Sequence, residues 1–133
     1  MTGRPLCSEE EAIHRGFGGA ECARRRQILR ETIAAFETGH AMDHYRRLAE
    51  QNLERWRAKC TLPQSMLRVD VRPGDWGEVA YTMTRTYGVC FAVLNMANAY
   101  VPDGAYIEGA VAQEENMFRR TDCHFRIGED EYS

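Results

Sequence analysis

Hydrophobic and polar positions recur with two different periods along this chain, and the change falls near Pro63. Between Glu21 and Thr38, Ile28, Leu29, Ile33, Ala34 and Phe36 are interspersed with Arg and Glu at helical spacing. That pattern predicts an amphipathic helix closed by Gly39. A second helix is predicted from Met42 to Cys60, with Tyr45, Leu48, Ala49, Leu53 and Trp56 on one side and Pro63 beyond its end. Downstream, Met66, Leu67, Val69 and Val71 stand among Arg68, Asp70 and Arg72, a near-alternation that predicts a short strand. Pro73-Gly74-Asp75 is a turn, and Asp75 is placed to cap a helix from Trp76 to about Thr86, broken at Gly88. Val89 to Leu94 is an unbroken apolar run of strand length, as expected for a strand covered on both faces. The order helix, helix, strand, helix, strand predicts an α/β layer protein with a partly parallel sheet.

Size and composition narrow the classes. A chain of 133 residues, 44% hydrophobic and 28% charged, fits one globular domain and excludes wholesale disorder. No apolar stretch approaches the length of a membrane-spanning helix. The opening MTGRPLCSEEE lacks the apolar core of a secretory signal. The expectation is a soluble intracellular protein, cytoplasmic or nuclear, with no membrane contact. Basic and acidic residues divide 11 to 9 over residues 1–65 and 6 to 11 over residues 66–133. Apart from Arg24 to Arg26 there is no basic stripe, which argues against direct nucleic-acid binding. Cys7, Cys22, Cys60, Cys90 and Cys123 form no C-x-x-C pair and read as reduced thiols.

The stretch that carries chemistry is NMANAYVPDGAYIEGAVAQEENMFRR, residues 95–120. It begins where the expected strand ends, the place where open α/β sheets keep their ligand crevices. Two asparagines, a Pro-Asp-Gly turn and the triplet Gln113-Glu114-Glu115 lie on one long polar connection before a helical segment. An acidic triplet there is also what the positive end of a helix dipole favours. The position after a buried strand and a long loop tips the balance toward a site.

This stretch resembles the signature of the macrodomain-type poly(ADP-ribose) glycohydrolases, including their microbial type. In that signature an Asn-containing segment is followed by three glycines, six to eight residues and then Gln-Glu-Glu. Here Asp103-Gly104-Ala105 stands where the glycines belong, and seven residues, Tyr106 to Ala112, precede Gln113. The run RRRQILRETIAAFETG is similar to the first helix of the microbial type. The resemblance implies a three-layer α/β/α macrodomain-like fold, incomplete here and preceded by N-terminal helices. An acidic triplet with Gly16, Gly18 and Gly19 makes residues 1–19 a flexible lead-in, and residues 128–133 read as an acidic tail, so the resemblance implies a partial catalytic domain over 20–127. It also implies a glycosidase that cuts the ribose–ribose or ribose–protein bonds of ADP-ribose or its polymer on a modified macromolecule. Glu115 maps onto the acid/base, Glu114 and Asn98 onto groups holding the ribose, and Asp103, Gly104 and Ala105 onto the loop beside the diphosphate. Gln113 belongs to the same substrate-binding segment. No cofactor and no metal are implied.

The chemistry agrees with that assignment. Breaking a glycosidic bond to ribose needs a proton for the departing oxygen and then an activated water at the anomeric carbon. A carboxyl group shielded from water beside a second carboxylate is suited to the task. Two departures favour an alternative, a catalytically degenerate or truncated ADP-ribose-binding or interaction module. Asp103 places a negative charge, and Ala105 a β-carbon, where the family has glycine. Eighteen residues follow Glu115, so a first half-domain is expected, with a partner chain to complete the sheet. Elsewhere, His40, Asp43 and His44 share one helical face and have the residue types of a divalent-metal site, but surface positions are the simpler reading. Cys123-His124 has the types of a nucleophile pair without the spacing that orients one. A short strand is expected over Thr121 to Ile127.

Overall fold

The computed structural model describes residues 4–60, 69–98, 100 and 103–126. These residues form five helices: α1 Glu9–His14, α2 Ala20–Glu37, α3 Ala41–Lys59, α4 Trp76–Tyr87 and α5 Gln113–Arg120. A 3-10 turn, Asp122–Phe125, follows α5. The chain divides into two compact units, one of Met1–Ala41 with Asn95–Ser133 and the other of Met42–Leu94. No helix among the described residues is long and apolar enough to cross a membrane.

The expected α/β three-layer architecture is overturned: the described residues contain no strand. Val89 to Leu94 runs as irregular chain, with Phe91 42% and Leu94 80% exposed. An apolar run of that length reads equally as strand or as other buried segment, and periodicity does not separate the two. A strand also needs a neighbour to receive its backbone N–H and C=O groups, and no ladder forms here. Val69 and Val71 are likewise irregular and exposed, while Met66 and Leu67 lie outside the described residues. In place of the strand expected from Thr121, the chain makes the 3-10 turn, with the Thr121 hydroxyl accepting from the Cys123 amide.

The first unit gathers both ends of the chain around one core. On α2, Arg26, Leu29 and Ile33 are buried at i, i+3 and i+7, one face of a helix. Cys7, Ala12, Tyr106, Ile107 and Phe118 complete the hydrophobic core with Leu29 and Ile33, and Phe17, Cys123 and Phe125 pack on it. Within residues 1–19, expected as a lead-in, α1 is closed by a reciprocal cap between Ser8 and Glu11 and buries Ala12. The loop from Asp103 to Ala110 lies against α2 at Gly109, whose φ is +95°. A side chain there would collide with the Cys22 carbonyl, so glycine is required twice over.

The second unit holds α3 and α4. Asp75 caps α4 by accepting from the amides of Gly77 and Glu78, as the sequence predicts. Gly88 ends it in the left-handed region, its N–H donating to the Thr84 carbonyl. Trp56 and Tyr81 meet edge to face, with ring centroids 5.8 Å apart. Neither helix buries a residue, and Tyr45 and Leu48 of the expected stripe remain about half exposed.

At the far edge of the first core the Tyr106 hydroxyl lies 2.8 Å from Nδ1 of the buried His124. Burial pushes the His124 pKa below its usual value, with the charge of Glu37 pulling weakly the other way. The folded state therefore holds this imidazole neutral, whereas the unfolded chain takes up a proton as pH falls through about 6.5. Stability from this source is complete above that pH and is lost as pH drops through the lower native value. Urea unfolding midpoints should accordingly fall between pH 7 and pH 5, and the fall should be shallower in His124→Gln.

Candidate functional site

The segment singled out by sequence folds back on itself around the first turn of α5. Gln113 Oε1 accepts from the Met96 amide at 2.8 Å. Glu114 is 4% exposed, and its carboxylate gathers three donors. Oε2 accepts from the Asn98 amide at 2.7 Å, while Oε1 accepts from the Asp103 amide at 3.1 Å and from Asn95 Nδ2 at 3.4 Å. A carboxylate buried without such donors would cost several kcal/mol; here it ties two irregular segments to the helix. Asn98 itself turns its Oδ1 onto the Tyr100 amide at 2.9 Å, an Asx turn.

Glu115 points elsewhere. Its Oε1 accepts a long 3.4 Å bond from the Ala105 amide, and its carboxylate rests on Gly104. Gly104 has φ +58°, and a Cβ there would collide with Oε1 of Glu115. Glu115 Oε2 is buried with no hydrogen-bond partner among the described residues. Oε2 of Glu108 shares that property, but Glu108 is paired through Oε1 with Arg15 at 2.6 Å.

Asp103 adopts φ +69°, the left-handed region that glycine enters more readily. Its carboxylate is fully buried and pairs with Arg4 Nη1 at 3.1 Å. The same Nη1 donates to the Gly104 carbonyl at 3.1 Å, and Arg4 Nη2 stands 3.7 Å from Glu108 Oε1. From α2, the buried Arg26 donates to the carbonyls of Phe17 at 2.8 Å and Glu108 at 3.0 Å. Three arginines from the N-terminal part of the chain thus brace one loop.

The expected residues therefore come together, but with altered partners. Gln113, Glu114, Glu115, Asn98, Asp103, Gly104 and Ala105 share one neighbourhood, and the Asp103 charge is matched by Arg4. The amides of Asp103 and Ala105, expected to face a diphosphate, point at Glu114 and Glu115. Sequence reasoning missed Arg4, Arg15, Arg26 and Glu108. Arg26 was legible in principle, because it falls in register with Leu29 and Ile33 on the apolar face of α2. For Arg4, 99 residues from Asp103, no local signal exists. The other candidate groups are used differently: the His44 ring lies against Tyr45, and His124 against Tyr106. Among the described residues no three His, Cys, Asp or Glu side chains are grouped to hold a metal ion.

The sequence model of one protein family, the microbial-type PARG catalytic domain, matches residues 8–131. The chain belongs to that family of poly(ADP-ribose) glycohydrolase domains. Neither the curated proteins nor the solved structures gave a match.

The Arg4–Asp103 contact predicts a measurable asymmetry. Arg4→Met removes a guanidinium from a buried carboxylate and should destabilise the chain by about 3 kcal/mol in urea unfolding. Adding Asp103→Gly, which deletes the charge and suits the positive φ, should recover most of that loss.

Proposed function

We propose that this chain is an ADP-ribosyl glycohydrolase acting on ribose–ribose or ribose–protein bonds, with Glu115 as acid/base. The observation that carries this reading is the unequal use of two adjacent carboxylates. Glu114 has both oxygens taken by N–H donors and serves as a fixed acceptor. Glu115 keeps one oxygen shielded from water and unbonded, and holds the other by a single long contact. A group in that state can give a proton to a departing glycosidic oxygen as the bond to the anomeric carbon breaks. The resulting carboxylate then removes a proton from the water that attacks that carbon, which returns Glu115 to its starting form. Glu114 holds Asn98 and Asp103 in place beside it, and we assign Asn98 and Gln113 to the substrate-binding segment. Membership of the glycohydrolase family supports this assignment of substrate class. Binding must draw Glu115 away from the Ala105 amide, a small cost for a 3.4 Å bond.

A second reading, a non-catalytic ADP-ribose-binding or interaction module, draws on Asp103 and Ala105 in place of glycine and on loop amides already satisfied by side chains. Glu115→Gln separates the two. With (poly)ADP-ribose as substrate, the hydrolase should lose turnover by about 10²–10⁴-fold with its melting temperature maintained. Unchanged turnover, or none in the parent chain, would sink the enzyme reading.

A further inference from the structure

The second unit contains a cavity of about 500 Å³ between α3 and the later turns of α4. Asn52, Arg55, Trp56 and Lys59 line it from α3, and Tyr81, Arg85 and Thr86 from α4. The α3 positions are i, i+3, i+4 and i+7, one helical face, and Tyr81 and Arg85 stand one turn apart on α4. Three cations therefore border one space, and no carboxylate lines it. Arg55, Lys59 and Arg85 make no ion pair or hydrogen bond among the described residues. The carboxylates of this unit are used or placed elsewhere: Asp70 pairs with Arg72, Asp75 caps α4, and Asp43, Glu50, Glu54 and Glu78 form no ion pair with the three cations. Residues 61–68 hold neither Asp nor Glu. The chain as a whole carries a net charge of −3, whereas residues 42–94 have eight Lys and Arg against six Asp and Glu.

Lys59 and Arg85 fall in the last turns of their helices, where a cation suits the helix dipole. That account covers neither Arg55 nor the convergence of all three on one cavity. Arg55 and Lys59 are like charges at i and i+4, a pairing that weakens a helix unless an anion joins them. Two aromatic side chains share the same wall. Trp56 is half-buried and Tyr81 is 52% exposed, so ring surface stays accessible where they line the cavity. Such rings offer stacking surface to any planar base, while guanidinium and ammonium groups hold phosphate. Asn52 adds an amide, and Thr86 a hydroxyl whose own proton goes to the Thr82 carbonyl at 2.7 Å. The volume falls within the roughly 300–1,000 Å³ of small-molecule sites.

We propose that Arg55, Lys59 and Arg85, together with Trp56 and Tyr81, form a binding site for a nucleotide, its base against the rings and its phosphate on the cations. The site is built from residues 52–86 of the second unit, and none of residues 95–120 lines it. It goes beyond the glycohydrolase reading and holds whatever reaction Glu115 performs. The three cations are separated along the chain and meet only through the pairing of α3 with α4, so no basic stripe in the sequence announces them.

Trp56 supplies its own readout, because the chain has only one other tryptophan, Trp76. Titration of full-length Trp76→Phe with thymidine monophosphate should quench Trp56 fluorescence saturably, and calorimetry on the unaltered chain should return the same affinity. Arg55→Gln with Arg85→Gln, both at exposed positions, should weaken binding about tenfold or more. Arg47→Gln, an exposed α3 position outside the cavity, should leave it unchanged. Thymidine and inorganic phosphate, each carrying half of the ligand, should both bind more weakly than the monophosphate. No saturable binding at millimolar monophosphate, equal weakening by Arg47→Gln, or inorganic phosphate binding as tightly as the monophosphate would each overturn the proposal. Tighter binding of oligothymidylate than of the monophosphate would assign the ligand to single-stranded nucleic acid, and equal affinity to a free nucleotide; either upholds the site. Binding at Trp56 is read without turnover, so this result and that of Glu115→Gln stand or fall separately.

Discussion

Glu114 is the side chain on which the arrangement of the first unit turns. Its buried carboxylate accepts from the amide of Asn98, the amide of Asp103 and the side chain of Asn95. None of those segments has regular secondary structure, so the amides of Asn98 and Asp103 have no ladder partner to receive them. One side chain replaces the ladder that a sheet would have supplied. The interaction also explains why an acidic residue is buried at this point. Attraction to a helix N-terminus is worth only about 0.3–1 kcal/mol and leaves a carboxylate free to stay in water. At 4% exposure Glu114 has forgone that hydration, and only the convergent N–H donors compensate it.

The loop that Glu114 anchors at Asp103 is held from its other side by cations. Arg4 reaches Asp103 and the Gly104 carbonyl, Arg15 reaches Glu108, and Arg26 reaches the Glu108 carbonyl. Buried charge pairs of this kind contribute little net stability over apolar packing, but they are costly to mispair. They therefore fix which loop conformation is populated more than how stable it is. The positive φ values at Asp103 and Gly104 fit that view, since a tight turn leaves the following amide of Ala105 aimed at Glu115.

Helices α2, α3 and α4 were legible because their signals are local, whereas α1 lies within the expected lead-in. Limits expected at Glu21 and Thr38 shift by a single residue to Ala20 and Glu37, and the Asp75 cap falls where the turn chemistry puts it. The strands were misread because Val89 to Leu94 carries an apolar run but no property that distinguishes a paired strand from an irregular segment. Sheet formation depends on partners elsewhere in the chain, and none forms among the described residues. The same locality divides the site. The spacing from Asp103-Gly104-Ala105 to Gln113-Glu114-Glu115 could be read directly, and these residues do come together. That Glu114 would face backbone amides, and that Arg4 would neutralise Asp103, depends on tertiary placement across 16 and 99 positions. A short pattern names the participants in a site without saying which atoms they spend on holding it together.

That distinction bears on how two adjacent glutamates come to differ. Neighbours on a helix diverge by about 100°, so one local geometry cannot serve both alike. Glu114 turns inward to the Asn95–Asn98 segment, where every oxygen meets a donor. Glu115 turns along the surface of the Gly104 turn, where the backbone offers one distant N–H and the second oxygen meets none among the described residues. Glu114 thus spends its acceptors on holding the fold, whereas Glu115 keeps a shielded oxygen with no donor among the described residues. The asymmetry follows from helix geometry and from a glycine that has no side chain to push Glu115 away, and it requires nothing unusual of either glutamate itself.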